Sequence, residues 1–437
     1  MGRAIAAPRR TPATDATRSA AAIAICAAAA AVSRRHSKAR SLAHLRSRRT
    51  IAAVVDTGRA GAALWIALVI PSSFVVHKYA GSAGAIAYAA VAAAAVARAP
   101  ELPARVSDRT VFRLTLVTIV FVAAAFAAVY PIVDVRAPGA GSDDDNTLDL
   151  GASALFTGRF PYAQTTYLGN RLHHLAGSFV LAAPFAALGA SALQNLFWIP
   201  LFFVAVWIET RDSRCALELA WLVLALSPAV LHDVVTGTGY ASNAITVVLG
   251  LWWLTRTRHR DAAAAAWGVA LASRANFLLL VPIAIGWMRQ HAGARAAVRA
   301  AAIVCAVVAL LTVPFYVYDP RGFTPLEAAD RLLRFDALAP HLGGAVIAST
   351  IALAVAMSFG AMDAAALFRR CAWVQAFPVA AGLALASVQE QRLALSHARY
   401  GAFFAWFTLM ALAAGGSLKR HEAARRELVD EREQIRL

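Results

Sequence analysis

What most limits the fold of this 437-residue chain is a succession of long apolar runs almost free of charge. They cover Gly61 to Ala80, Ser82 to Ala97, Val111 to Val133, two adjacent stretches between Leu175 and Ile208, Ala216 to Leu231 and Ala241 to Leu254. Others follow at Ala262 to Trp287, Ala300 to Tyr318, Ala345 to Gly360, Ala372 to Val388 and Gly401 to Ala414. Runs of this length match the hydrocarbon thickness of a bilayer, where every backbone N–H and C=O must be paired within its own segment or in a closed barrel. These runs are too long and uniform for barrel strands, so they read as helices. A composition of 59% hydrophobic and 15% charged residues agrees. The expectation is an all-α, polytopic transmembrane helical bundle of about 10–12 spans.

The net charge of +17 is not a nucleic-acid signature, because the basic residues flank apolar runs: Arg34-Arg35, Arg48-Arg49, Arg256 to Arg260, Arg289 to Arg299 and Arg420 to Arg426. That is the positive-inside pattern of an inner-membrane protein. It divides the chain into a basic arm over 1–60 on the cytoplasmic leaflet, a transmembrane domain over 61–417 and a cytoplasmic C-terminal helix over 418–437. Both termini are expected in the cytoplasm of a bacterium. The loop 134–171 should lie outside, with His232 to Ser242, Asp319 to Gly344 and Gln389 to Tyr400. Cys26, Cys215, Cys305 and Cys371 have no metal-ligand spacing, so neither a zinc site nor a disulfide framework is implied.

Two segments conflict with a simple alternation of sides. Basic loops flank both ends of Ala262 to Trp287, which predicts a broken helical hairpin turning at the polar insert Ser273-Arg274-Ala275-Asn276. Between the outer acidic loop and Arg211 to Arg214 there are two apolar runs where an odd number of crossings is needed. Either Leu175 to Gly189 is only partly inserted, helped by Pro184, or Arg211 to Arg214 breaks the charge rule.

The densest polar patterning is in the outer loop. Tyr130-Pro131 ends a span, Asp143-Asp144-Asp145 follows a Gly/Pro-rich turn, and an amphipathic helix from Thr147 to Phe156 with Leu148, Ala152 and Leu155 on one face is stopped by Gly158. After it come Pro161-Tyr162, Tyr167-Leu168-Gly169, Arg171, His173-His174 and Ala183-Pro184-Phe185. An acidic pair with a short helix, a Gly-x-x-Pro-Tyr turn and a Pro-containing span resembles the GT-C class of membrane glycosyltransferases. The resemblance covers roughly Val111 to Arg289, with Asp-Asp in place of the usual Asp-Glu, and with the common Lys-Pro-Pro-like phosphate contact replaced around Arg171, His173 and His174.

The resemblance implies an outward-opening cavity and inverting transfer of a sugar from a polyprenyl-phosphate donor to a lipid, glycan or protein acceptor, without a nucleotide sugar. The residues fit that chemistry on their own terms. A lipid-phosphate sugar already carries a good leaving group, so transfer needs a carboxylate to take the acceptor's proton and cations to steady the departing phosphate. Asp144 or Asp145 is the candidate base, with one carboxyl raised by its like-charged neighbour, and Asp233 is a second acid. Arg171, His173, His174 and the intramembrane Arg274 are the phosphate candidates. No metal site is expected; a divalent cation stays open as cofactor, and the partners are membrane lipids and the lipid-linked sugar. The competing classes are a transporter or lipid flippase, which also uses broken helices and an intramembrane Arg, and a non-catalytic assembly protein.

Overall fold

The computed structural model describes residues 58–98, 107–134, 142–328 and 330–416; the expected basic arm, but for its last residues, and the C-terminal helix lie outside them. The chain is all-helical, and among the described residues the only β contact is the single bridge between Thr165 and Arg171. The helices are α1 (Gly58–Arg98), α2 (Asp108–Val133), α3 (Asp144–Phe156), α4 (Ala176–Ala187), α5 (Gln194–Thr210), α6 (Ser213–Leu226) and α7 (Pro228–Thr236). They continue with α8 (Tyr240–Arg256), α9 (Arg260–Leu271), α10 (Val281–Ala292), α11 (Ala294–Tyr318), α12 (Leu342–Met357), α13 (Ala364–Glu390) and α14 over 402–416.

Among the described residues, five helices are long and apolar enough to cross a membrane, six if the α6–α7 pair, bent by 81°, counts as one. The most apolar stretch of α2 is only 6% buried and that of α11 only 11%. Apolar faces of this extent are not stable in water, so they are surfaces made for lipid. The count is lower than the number of apolar runs because several runs form helices too short to span a bilayer on their own. In addition, α1 contains two runs, folded against each other at Gly81 (φ 67°). Trp65 Nε1 donates to the Ala89 carbonyl at 2.8 Å and the Tyr88 hydroxyl to that of Leu68 at 3.3 Å, which makes the two halves antiparallel. A positive φ is cheap only for glycine, which is why the turn falls there.

The second conflict is resolved by α4. Its first amides meet the hairpin tip, and beyond its last turn Ser191 N–H donates to Asp149 and Ser191 Oγ to the Asp145 carbonyl, both on α3. The segment therefore leaves α3 and returns to it without crossing. With Leu148, Tyr162, Leu172, Leu175, Phe179 and Phe323, α3 and α4 build a core of their own, separate from the main bundle core. α5 then runs from this end to the opposite one, where buried Glu209 meets Trp252 and Arg256 of α8, so Arg211 to Arg214 keep to the opposite end.

The hairpin at 262–287 is present. Asp261 pairs with Arg299, and Gly268 faces Val304 and Val307, so α9 runs parallel to α11. Gly293 (φ 85°) turns α10 directly into α11, so α10 runs antiparallel. The chain thus enters and leaves at the opposite end, and the break at 272–274 forms the tip. A broken helix exposes backbone carbonyls, and a helix start exposes amides. Here they satisfy each other: Leu175 N–H donates to Ser273 O at 3.2 Å and Gly177 N–H to Ala272 O at 2.8 Å. Asn276 and Gln375 exchange side-chain and backbone bonds at 2.6 and 2.9 Å, which fastens the tip to α13.

Gly177 permits that approach, since a Cβ there would lie 2.3 Å from Val269 O and 2.4 Å from Ala272 O. Gly177→Ala is expected to push α4 off the tip at a cost of about 1–3 kcal/mol. Thermal unfolding of the detergent-solubilised protein reads this directly, and an unchanged midpoint would show that the two elements are not in contact.

Candidate active site

α3 begins at Asp144, three residues before the expected start, and the chain leaves it through Gly158 (φ 63°). Asp143, just ahead of α3, turns its carboxylate outward: Oδ2 accepts from Thr166 Oγ1 at 2.6 Å and Asn170 Nδ2 at 2.8 Å. These bonds close a tight turn through Gly169 (φ 78°) and set the start of α3 against the 165–171 segment.

Asp144 stands at the centre of the site. Its Oδ2 accepts the Gly239 N–H at 2.6 Å, and its Oδ1 lies 3.1 Å from His174 Nε2 and 3.2 Å from Arg274 Nη2. Arg274 Nη2 also contacts His174 Nε2 at 2.6 Å, and its guanidinium lies over the rings of Tyr240 and Phe403 at 5.0 and 5.4 Å. Burial would raise the Asp144 carboxyl, but the His174 ring, the Arg274 guanidinium and the Gly239 amide outweigh it and hold the group below the usual carboxylate range. For His174, burial and then Arg274 push the imidazole down to about 4, so the ring is neutral at pH 7.

Asp233 is buried, accepts Ala241 N–H at 3.1 Å and has His232 Nδ1 at 3.9 Å. Asp144 and Asp233 therefore take the free amides at the start of α8, where the helix dipole favours negative charge.

A cavity of about 620 Å³ opens beside this cluster. Asp144, Asp233, Arg171 and His173 line it, as do Tyr240, Lys78 and Arg399. His174 and Arg274 stand behind Asp144. Both are engaged with the carboxylate, so in this arrangement they hold Asp144 instead of meeting a phosphate. Arg171 forms a half-exposed ion pair with Glu327 at 2.8 Å, and His173 Nδ1 lies 3.0 Å from the Arg171 carbonyl.

Asp145 does not join them. It points into the protein, where its Oδ2 accepts the Tyr130 hydroxyl at 2.6 Å. Burial pushes its carboxyl up to about 7, against the Tyr130 bond and with help from Asp134 and Asp149. One of the adjacent acids is raised, but burial first, and then Asp134 and Asp149, raise it, and not its neighbour Asp144. Its folded-state value lies above the ordinary carboxylate value, so the protonated form favours folding. That contribution is complete below pH about 4 and is lost as pH rises through about 7. Asp145→Asn is expected to flatten this part of the stability profile, as followed by thermal unfolding across pH, and to leave the cavity intact.

Lys78 and Arg399 were not singled out by sequence reasoning, and Tyr240 stood out only within the segment Gly239-Tyr240-Ala241-Ser242-Asn243, which belongs to the same resemblance. For Arg399 a signal was there: a cation in the loop Gln389 to Tyr400 breaks the positive-inside trend. Lys78 ends a span and has no such mark. Among the described residues, no cluster of three or more His, Cys, Asp or Glu is arranged to hold a metal ion. No family model, curated protein or solved structure matches the chain.

Proposed function

We propose that the protein is a GT-C-like glycosyltransferase of a bacterial inner membrane, moving a sugar from a polyprenyl-phosphate donor to an acceptor hydroxyl on the extracytoplasmic side. The observation that carries this reading is Asp144: an ionised carboxylate held by the Gly239 N–H and the Arg274 guanidinium, with the His174 ring against it, on the wall of a cavity large enough for a sugar, at one end of a lipid-facing helical bundle. On this reading the shorter helices also pass between the two ends, beside the five or six that are individually long and apolar enough to cross among the described residues, giving roughly ten passes with the described chain beginning and ending opposite the site. The site would then face outward and both termini the cytoplasm.

In the reaction, the acceptor oxygen attacks the anomeric carbon while the bond from that carbon to the phosphate oxygen breaks, and the electron pair leaves with the phosphate. The acceptor's proton passes to Asp144. A carboxylate of low proton affinity is a weak base for an alcohol. The acceptor oxygen becomes strongly acidic as it bonds to an oxocarbenium-like carbon, however, so the transfer is favourable late in the step. A carboxylate has about four acceptor positions, and the two donors, Gly239 N–H and Arg274 Nη2, leave room for the acceptor hydroxyl. His174, Arg274 and Gly239 keep the carboxylate aimed, and Tyr240 offers the sugar an aromatic wall.

Full-length protein in proteoliposomes, given polyprenyl-phosphate bearing a radiolabelled sugar and a hydroxyl acceptor, is expected to form a glycosylated product without any nucleotide sugar. Movement of label across the membrane with no covalent product would replace this reading with a transporter or flippase. Neither product nor movement would favour an assembly protein.

A further inference from the structure

The charges around the cavity are unequally matched. Arg171 is committed to Glu327, and Arg274 to Asp144. Lys78 and Arg399 form another wall, built by α1 and the turn Leu395–Gly401, and among the described residues no ion pair with a carboxylate engages either of them. Their positions are linked: Phe74 and Lys78 are one helical turn apart, and the Arg399 guanidinium lies over the Phe74 ring at 5.8 Å. Tyr400 and Tyr240 flank the same guanidinium at 5.1 and 5.9 Å. Its Nη2 donates to the Tyr400 hydroxyl at 3.2 Å, while its Nε is buried without an acceptor. The aromatic box fixes the guanidinium but leaves its Nε without an acceptor, and a half-buried cation with no carboxylate in ion-pair contact is costly. An anion entering from the cavity relieves both costs.

We propose that Lys78 and Arg399 form an anion subsite for the phosphate of a phosphorylated lipid. A guanidinium fork and a flexible ammonium lining one cavity suit a multiply charged tetrahedral oxyanion. The apolar lining contributed by Pro71, Phe74 and Val75 of α1 continues from the subsite along a membrane-crossing helix, the direction a lipid tail must take. Naming the bound group as the donor's phosphate rests on the transferase reading; the binding itself does not.

The test measures binding of a long-chain polyprenyl monophosphate to the full-length protein in nanodiscs. Arg399→Gln and Lys78→Gln are each expected to weaken it about tenfold, and together further. Arg399→Lys should recover part of the loss, and Arg392→Gln, at an exposed cation of the same end, should bind as wild type. Unphosphorylated polyprenol should bind all forms alike. Wild-type affinity in both Gln variants, or an equal loss for polyprenol, overturns the subsite. Inorganic phosphate as competitor separates the sources: failure to displace the lipid keeps the headgroup assignment, whereas displacement at equal concentration overturns it. Loss of binding in the variants with no product from wild type would keep the subsite and end the transferase reading. Product with normal binding in the variants would do the reverse.

Discussion

Asp144→Asn is expected to lower the proposed sugar transfer by about a hundred- to ten-thousandfold, the span associated with loss of a general base. The amide keeps the shape of the carboxylate and can still accept the Gly239 N–H, but it cannot hold a proton taken from the acceptor. Its NH₂ group would face Arg274 Nη2 or the His174 ring, where donors already converge. Turnover by the purified full-length protein checks the rate, and binding of the lipid donor separates chemistry from assembly. Wild-type turnover in Asp144→Asn would remove the proposed base. Asp145→Asn, in contrast, should keep most of the activity, because that carboxylate is turned toward Tyr130.

Arg274→Gln has the second large effect. The pair it breaks is nearly buried, with the two side chains 10% and 11% exposed, and removing one partner leaves an uncompensated buried charge at a cost of about 3–5 kcal/mol. The sign of the pH response follows from Asp144. Its folded-state value is depressed, so its contribution to stability is present above the ordinary carboxylate value and is lost as pH falls through the folded-state one. Without the guanidinium the depression shrinks. The acid limb of both stability and turnover should then move to higher pH, and Arg274→Lys should restore part of the shift. Unfolding and rate profiles across pH measure this; an unmoved acid limb in Arg274→Gln would show that the guanidinium does not act on the carboxylate.

Much of the bundle was legible because hydropathy and charge speak directly about crossings. The runs on either side of Gly81 and the hairpin at 262–287 follow from length, glycine and the sidedness of arginines. The importance of Arg274 was legible too, since an ionisable group in an apolar hairpin requires a partner. That the partner is Asp144 was not, because 130 residues separate them. Nor does hydropathy distinguish a run that crosses from one that folds back, so the course of α4 needed its contacts with Ala272, Ser273 and α3. The acidic pair carried a clue that went unused. Neighbours on a helix point about 100° apart, so two adjacent aspartates cannot share one wall. One faces the cavity and the other the core. Lys78 and Arg399 come together only through tertiary packing and leave no local pattern.

The partners of Asp144 also impose an order on biogenesis. Its backbone donor is made 95 residues later, and its guanidinium 130 residues later. As α3 leaves the ribosome, its carboxylate has no counter-charge, and water must solvate it until the tip between α9 and α10 is in place. A chain truncated before that tip carries an unfinished pocket.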